Sequence, residues 1–193
     1  MPSIPQEVVP STADDGVEIN ETTWDTEASS SRAYAGRNSA STFHAGFRFT
    51  GIPVPQGATI DSATLTLEVL VAAGTPSTTV YGADEDNAPA FSTSARPSQF
   101  SKTDASATGP TGVVQSHPIT ITSIVQEIVS RGSWVTGNDM RFGVFHDGGG
   151  SGYNNVEICD ITTWGNQNFA TLDIDYTEGG GGGSFPIVVQ HME

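Results

Sequence analysis

The sequence predicts a mainly β protein, an antiparallel β-sandwich of the jelly-roll kind with one short helix across one end and extended terminal arms. Three observations carry this expectation. Apolar residues recur with period two in several short runs, polar turn residues separate those runs, and a single segment breaks to helical spacing. The composition agrees: 193 residues hold 22 glycines and 11 prolines, and only 36% are hydrophobic, a mixture that favours turns and short strands over long helices.

Residues 1–12 carry Pro2, Pro5 and Pro10 with little apolar periodicity and read as an extended N-terminal arm. Residues 13–178 hold nearly all the aromatic and aliphatic content and form the sandwich domain. Phe43, Ala45, Phe47 and Phe49 alternate with His44, Gly46, Arg48 and Thr50. Ala63, Leu65, Leu67, Val69 and Val71 alternate with Thr64, Thr66, Glu68 and Leu70, and Leu172, Ile174 and Tyr176 alternate with Thr171, Asp173, Asp175 and Thr177. Each pattern is a strand with one face in a core and the other in water. Weaker strand signals lie at Thr78–Tyr81, Val113–Ser116, Arg141–Phe145 and Val156–Cys159. Seven or eight short strands at this spacing point to a sandwich.

The helix is expected from Ile121, Ile124, Val125, Ile128 and Val129, an apolar stripe over about three turns. Thr120, Thr122 and Ser123 offer capping hydroxyls, Ser123 with Gln126 fits a capping box, and Gly132 stands where a C-terminal glycine belongs. Beyond the domain, Gly179 to Gly183 have the composition of a flexible linker. They lead to an apolar tail, residues 179–193 overall, containing Phe185, Ile187, Val188 and Val189. No internal repeat is read along the chain.

Charge and composition exclude several functions. With 22 acidic against 7 basic side chains the net charge is −15, and Lys102 is the one lysine. Such a surface repels phosphate, so neither nucleic acid nor an anionic membrane is expected as a partner. No run approaches the about 18 apolar residues a membrane helix needs. The single cysteine, Cys159, leaves no disulfide framework or cysteine zinc cluster, and its apolar neighbours suggest a buried, inert thiol. The first residues lack the charge and apolar run of a secretory signal. The expectation is an acidic, soluble protein made and left in a reducing cytoplasm unless lysis releases it.

Three strings, read together, carry a resemblance. They are Phe47-Arg48-Phe49-Thr50-Gly51-Ile52-Pro53-Val54-Pro55-Gln56-Gly57-Ala58-Thr59-Ile60, then Tyr81-Gly82-Ala83-Asp84-Glu85-Asp86-Asn87-Ala88-Pro89-Ala90-Phe91. The third is Ile124-Val125-Gln126-Glu127-Ile128-Val129-Ser130-Arg131, followed by Trp134, Gly137-Asn138 and Phe142. In this order they resemble the jelly-roll modules called DNRLRE, appended to many secreted bacterial proteins, some of them counted as carbohydrate-binding modules. Similar modules occur in virion proteins of tailed bacteriophages. The resemblance covers about residues 13–178 and implies the fold more closely than the function. Where relatives place an aspartate before the helix, this chain has Thr120 and Thr122.

Candidate sites follow from chemistry. Asp84, Glu85, Asp86 and Asn87 in one turn could ligate calcium through oxygens, although their spacing, like that of Asp14-Asp15, is not that of an EF-hand. Trp24, Tyr34, Tyr153 and Trp164 fall in expected loops and could stack on sugar rings or equally plug the sandwich. His44, His117, His146 and His191 lie in no nucleophile motif, so no catalytic residue and no enzyme is expected. The tail bears most weight. Fifteen residues could span roughly 50 Å when extended, and Phe185, Ile187, Val188 and Val189 gain little in water, so pairing with another chain by strand addition is expected; the alternative is folding back on their own domain. The reading is a structural virion protein, a decoration or accessory protein of head or tail. It would be exposed on the virion surface, homo-oligomeric and anchored to other virion proteins through its ends. The alternative is a carbohydrate-binding module recognising a host-surface or extracellular polysaccharide.

Overall fold

The computed structural model describes residues 3–8, 14–25, 32–148, 152–159 and 170–178. Phe185, Ile187, Val188, Val189 and Trp164 lie outside these residues. Among the described residues run twelve strands: β1 (Ser3–Val8), β2 (Asp15–Ile19), β3 (Thr23–Asp25), β4 (Arg32–Arg37), β5 (Thr42–Phe49) and β6 (Thr59–Ala73). They continue as β7 (Thr78–Ala83), β8 (Lys102–Thr108), β9 (Ser116–Thr120), β10 (Met140–His146), β11 (Asn154–Cys159) and β12 (Thr171–Thr177). One helix, α1 (Thr122–Val129), sits between β9 and β10. The expected fold class holds: the protein is mainly β, with a single antiparallel sheet curled into a half-barrel around its core.

β6 is the pivot. Its first part pairs with β12 on one side (Thr59↔Thr177 to Thr66↔Thr171) and, from Thr64 to Glu68, with β9 on the other. Its last part pairs instead with β11, Val69↔Ile158 to Ala73↔Asn155. One strand of 15 residues thus belongs to both walls. From β11 the second wall continues through β4, β5, β10 and β7 to β8, while β2 pairs with β5 and β3 with β2. The alternation read in the sequence sets which side chains meet. Phe47, Phe49, Leu65, Leu67, Phe142, Val144, Leu172, Ile174 and Tyr176 are buried in one cluster with the α1 stripe Ile124, Val125, Ile128 and Val129. Gly82 of β7 makes room for the helix. A Cβ there would lie 2.7 Å from Ile124 Cγ2 and 2.9 Å from Ile128 Cδ1.

Several expectations shift in detail. The strand expected at Val113–Ser116 begins three residues later, as β9, and Val113 and Val114 are exposed in the segment before it. β9 contains Pro118 and lies at an edge, where a residue without an N–H costs least. β2, β3, β4 and β8 lack a clear period-two signal because both faces of β2 are covered and β8 is largely exposed. The helix starts with no side-chain cap: Ile121 is the N-cap and Ser130 the C-cap. The hydroxyl of Thr122 and the amide of Gln126 are turned to β6 instead. Trp134 follows the helix as expected, buried, with its indole N–H donating to Val54 O at 2.9 Å. Of the N-terminal arm, residues 3–8 are extended and pair antiparallel with β12 of the same chain.

Candidate functional site

Two arrangements concentrate the polar chemistry of the described residues. The first is a clasp on the outer face of the second wall. Gly16, Gly46 and Gly143 stand opposite one another across β2, β5 and β10, and Tyr81 of β7 continues the row. With no side chains there, aromatic rings lie directly on the backbone. A Cβ on Gly46 would approach Phe91 Cζ to 2.7 Å, and one on Gly143 would approach Phe145 Cε2 to 2.5 Å. Trp24 stacks on Phe91 with centroids 4.6 Å apart, and Tyr81 and Phe100 meet Phe145 edge-on at 5.7 and 5.8 Å. This second cluster is roofed by the segment from Asp84 to Ser101, which leaves β7 and returns to β8.

Five of the seven basic side chains hold that segment or its floor. Arg48 donates to Ala88 O at 2.8 Å and pairs with Asp14 and Asp139. Arg96 pairs with the buried Glu18 at 2.7 Å, whose carboxylate also accepts from Ser98 N. Arg141, 3% exposed, donates to Ala95 O and Glu85 Oε1, with its guanidinium 5.5 Å from the Phe91 ring and 5.1 Å from the Phe100 ring. Arg131 bonds both Asp84 and Asp86. Lys102 Nζ lies 3.5 Å from the Phe145 ring centroid, and burial lowers its pKa. At one end His44 accepts the His146 N–H at Nδ1, 3.1 Å, and turns Nε2 toward Glu21 at 3.6 Å. Burial pushes its pKa down against the pull of Glu18 and Glu21.

The second arrangement concerns sheet edges. An unpaired edge strand is a template for another chain, so the destination of each edge N–H and C=O matters. Along β6, α1 takes over where β9 stops. The N–H groups of Ile60 and Ala63 donate to Gln126 Oε1 (2.9 Å) and Thr122 Oγ1 (3.0 Å), Gln126 Nε2 donates to Ala58 O, and Ile121 N–H donates to Ala63 O. Across the gap, the N–H groups of Asp104 and Ala105 on the outer edge of β8 donate to Glu127, at 2.8 and 2.9 Å. Adjacent residues of one short helix thus seal both lips of the half-barrel. β9 carries Pro118 and β3 is three residues long, both ordinary ways to blunt an edge. The remaining described edge strand is β1, which covers the side of β12 away from β6.

The expected site residues separate in this frame. Asp84 and Asp86 do share a site, but the cation between them is the Arg131 guanidinium, and Asn87 Oδ1 accepts the Asp139 N–H. Among the described residues no group of three or more His, Cys, Asp or Glu is placed to hold a metal ion. Trp24 is a strand residue 9% exposed under Phe91, a plug and not a platform. Tyr34 is half-buried with its ring 5.6 Å from Phe43, and Tyr153 is 65% exposed. Cys159 is buried. Among the described residues no helix is long and apolar enough to cross a membrane. Sequence reasoning missed the clasp arginines and gave Gln126 to a cap. The available signal was scarcity, because a chain with seven basic residues places Arg48, Arg96, Lys102, Arg131 and Arg141 around one loop only if that loop matters.

No protein-family model matches the chain, and no curated protein matches it.

Proposed function

We propose that the chain is a structural protein of a tailed-bacteriophage virion, a decoration or accessory protein whose sandwich is the outward body and whose terminal segments are its anchors. The observation that carries this reading is the edge pattern. Helix side chains, a proline or shortness blunt the edges of β3, β6, β8 and β9, so the body is built to avoid sheet-to-sheet growth. Attachment then falls to the ends, where the sequence puts Phe185, Ile187, Val188 and Val189 beyond a glycine run. Many weak tail contacts on one lattice sum to a stable coat, and the −15 charge keeps neighbouring bodies apart. The resemblance to DNRLRE-like modules of virion proteins points the same way.

Light scattering on the full chain and on a chain ending at Glu178 tests the reading, together with sedimentation of both with intact particles. Loss of all association on truncation supports anchoring through the tail. The reading fails if the truncated chain keeps every association, or if the full chain never sediments with a particle. A carbohydrate-binding module is the second reading, favoured by the exposure of Tyr153. It requires retention on polysaccharide gels that Tyr153→Ala abolishes without loss of stability.

A further inference from the structure

On the side away from β6, β12 pairs with β1, and the chain contains a second segment with the sequence pattern of β1. β1 reads Ser3-Ile4-Pro5-Gln6-Glu7-Val8, and residues 184–189 read Ser-Phe-Pro-Ile-Val-Val, the same order of serine, apolar residue, proline, two variable positions and valine. Six residues at opposite ends of a chain are too short a unit to register as a repeat, which is why no repeat is read from the sequence. The structure gives the pattern a meaning. Ser3 lies opposite Asp175, Ile4 opposite Ile174, Glu7 opposite Leu172 and Val8 opposite Thr171, with the register shifting between Ile4 and Glu7. Pro5 and Gln6 therefore share the bulge opposite Asp173. A bulge on an edge strand is a place where proline, lacking an N–H, belongs.

We propose that residues 184–189 are a second strand for the β12 edge of their own chain, in competition with β1 and in the same register. Ser184 would take the place opposite Asp175, Phe185 that opposite Ile174, Pro186 and Ile187 the bulge, Val188 that opposite Leu172 and Val189 that opposite Thr171. Three points favour this occupant. The segment follows β12 closely in sequence, so its pairing would form an antiparallel hairpin, and so short a connection costs little loop entropy. Gly179 to Gly183 place no Cβ in the reversal. At the two positions where the segments differ most, Ile187 and Val188 replace Gln6 and Glu7. That raises β propensity and removes a carboxylate from beside a strand that already carries Asp173 and Asp175. One edge and two matching strands leave one end surplus at any time. The competition does not depend on the virion reading; under that reading, the surplus strand is the anchor.

The test uses the purified full chain with Cys159→Ser, carrying Ser3→Cys with Asp175→Cys, or Ser184→Cys with Asp175→Cys. His191→Cys with Asp175→Cys is the control for chance encounter. Disulfide closure under mild oxidation is followed by non-reducing gel and peptide mass. The Ser3 pair closing within the chain shows that the Asp175 variant folds. The proposal expects the Ser184 pair to close within the chain several-fold faster than the His191 control, and faster again when residues 1–9 are deleted. A Ser184 pair no faster than the control overturns it. So does a Ser184 disulfide found only between chains, since the edge would then belong to a neighbour's tail.

Discussion

Replacing Gln126 with Met tests whether α1 stands in for the missing strands of the half-barrel. Met keeps the length and helix propensity of Gln but offers neither donor nor strong acceptor. The Ile60 N–H and the Ala58 carbonyl then lose partners at 2.9 and 3.0 Å, on an edge flanked by the buried Ile121, Ile124 and Ala63. Two backbone groups at about 1 kcal/mol each, with water reaching the half-exposed side chain, amount to about 2 kcal/mol. In a domain of this size that is a fall in Tm of about 4–8 °C. Urea unfolding should show a lower midpoint with an unchanged slope, while Gln115→Met at an exposed position changes neither. Gln126→Glu adds a pH signature. Its carboxylate still accepts from Ile60 N–H but faces the Ala58 carbonyl, so it should lose at least as much stability at pH 7. It should regain part below about pH 4.3, where the acid can donate. A loss below about 0.5 kcal/mol for Gln126→Met, within the range of ordinary surface changes, would mean that water seals the edge equally well and that the helix does not.

Other outcomes follow from the clasp. Gly143→Ala sets a Cβ 2.5 Å from Phe145 Cε2, so the ring must leave its seat. We expect a loss of about 1–3 kcal/mol, read by urea unfolding, against no change for Gly132→Ala, where the space is open. His44 has its pKa lowered by burial, so the unfolded chain binds a proton more readily than the folded one. Its contribution to stability is full above the unfolded pKa of about 6.5 and is lost as pH falls through the folded value. The urea midpoint should therefore drop on acidification from pH 7.5 to 5.5, less steeply in His44→Gln; equal slopes would remove His44 from the explanation. Arg131→Gln leaves Asp84 and Asp86 facing each other. The variant should gain a rise in Tm with millimolar calcium that the wild type lacks, and a calcium response already present in the wild type would restore the turn as a cation site.

The residues differ in how far sequence alone locates them. Period-two runs place β5, β6 and β12 and the core residues Phe47, Leu65 and Ile174, because one buried face imposes an alternation that a single segment displays. The stripe of Ile124, Val125, Ile128 and Val129 places α1 for the same reason. β2 is covered on both faces, with Val17 toward the core and Glu18 under the clasp, so its pattern vanishes. β1 shows no pattern of its own, and only its pairing with β12 makes it a strand. For the candidate sites, sequence supplies residue types and cannot supply partners. Trp24, Asp84 and Asp86 are chemically fit for sugars or calcium, but Phe91 and Arg131, 67 and 45 residues away from Trp24 and Asp86, reach them first.

The chain's own order thus determined the class of fold, the helix, the acidic surface and the identity of its two end segments. All of these are local properties or sums over residues. Only the tertiary structure decided that Gln126 and Glu127 close the sheet, that the arginines roof an outer aromatic cluster, and that residues 3–8 pair with β12. Those outcomes depend on which backbone hydrogen bonds remain unpaired after the sheet curls, a quantity that exists only once distant strands have met.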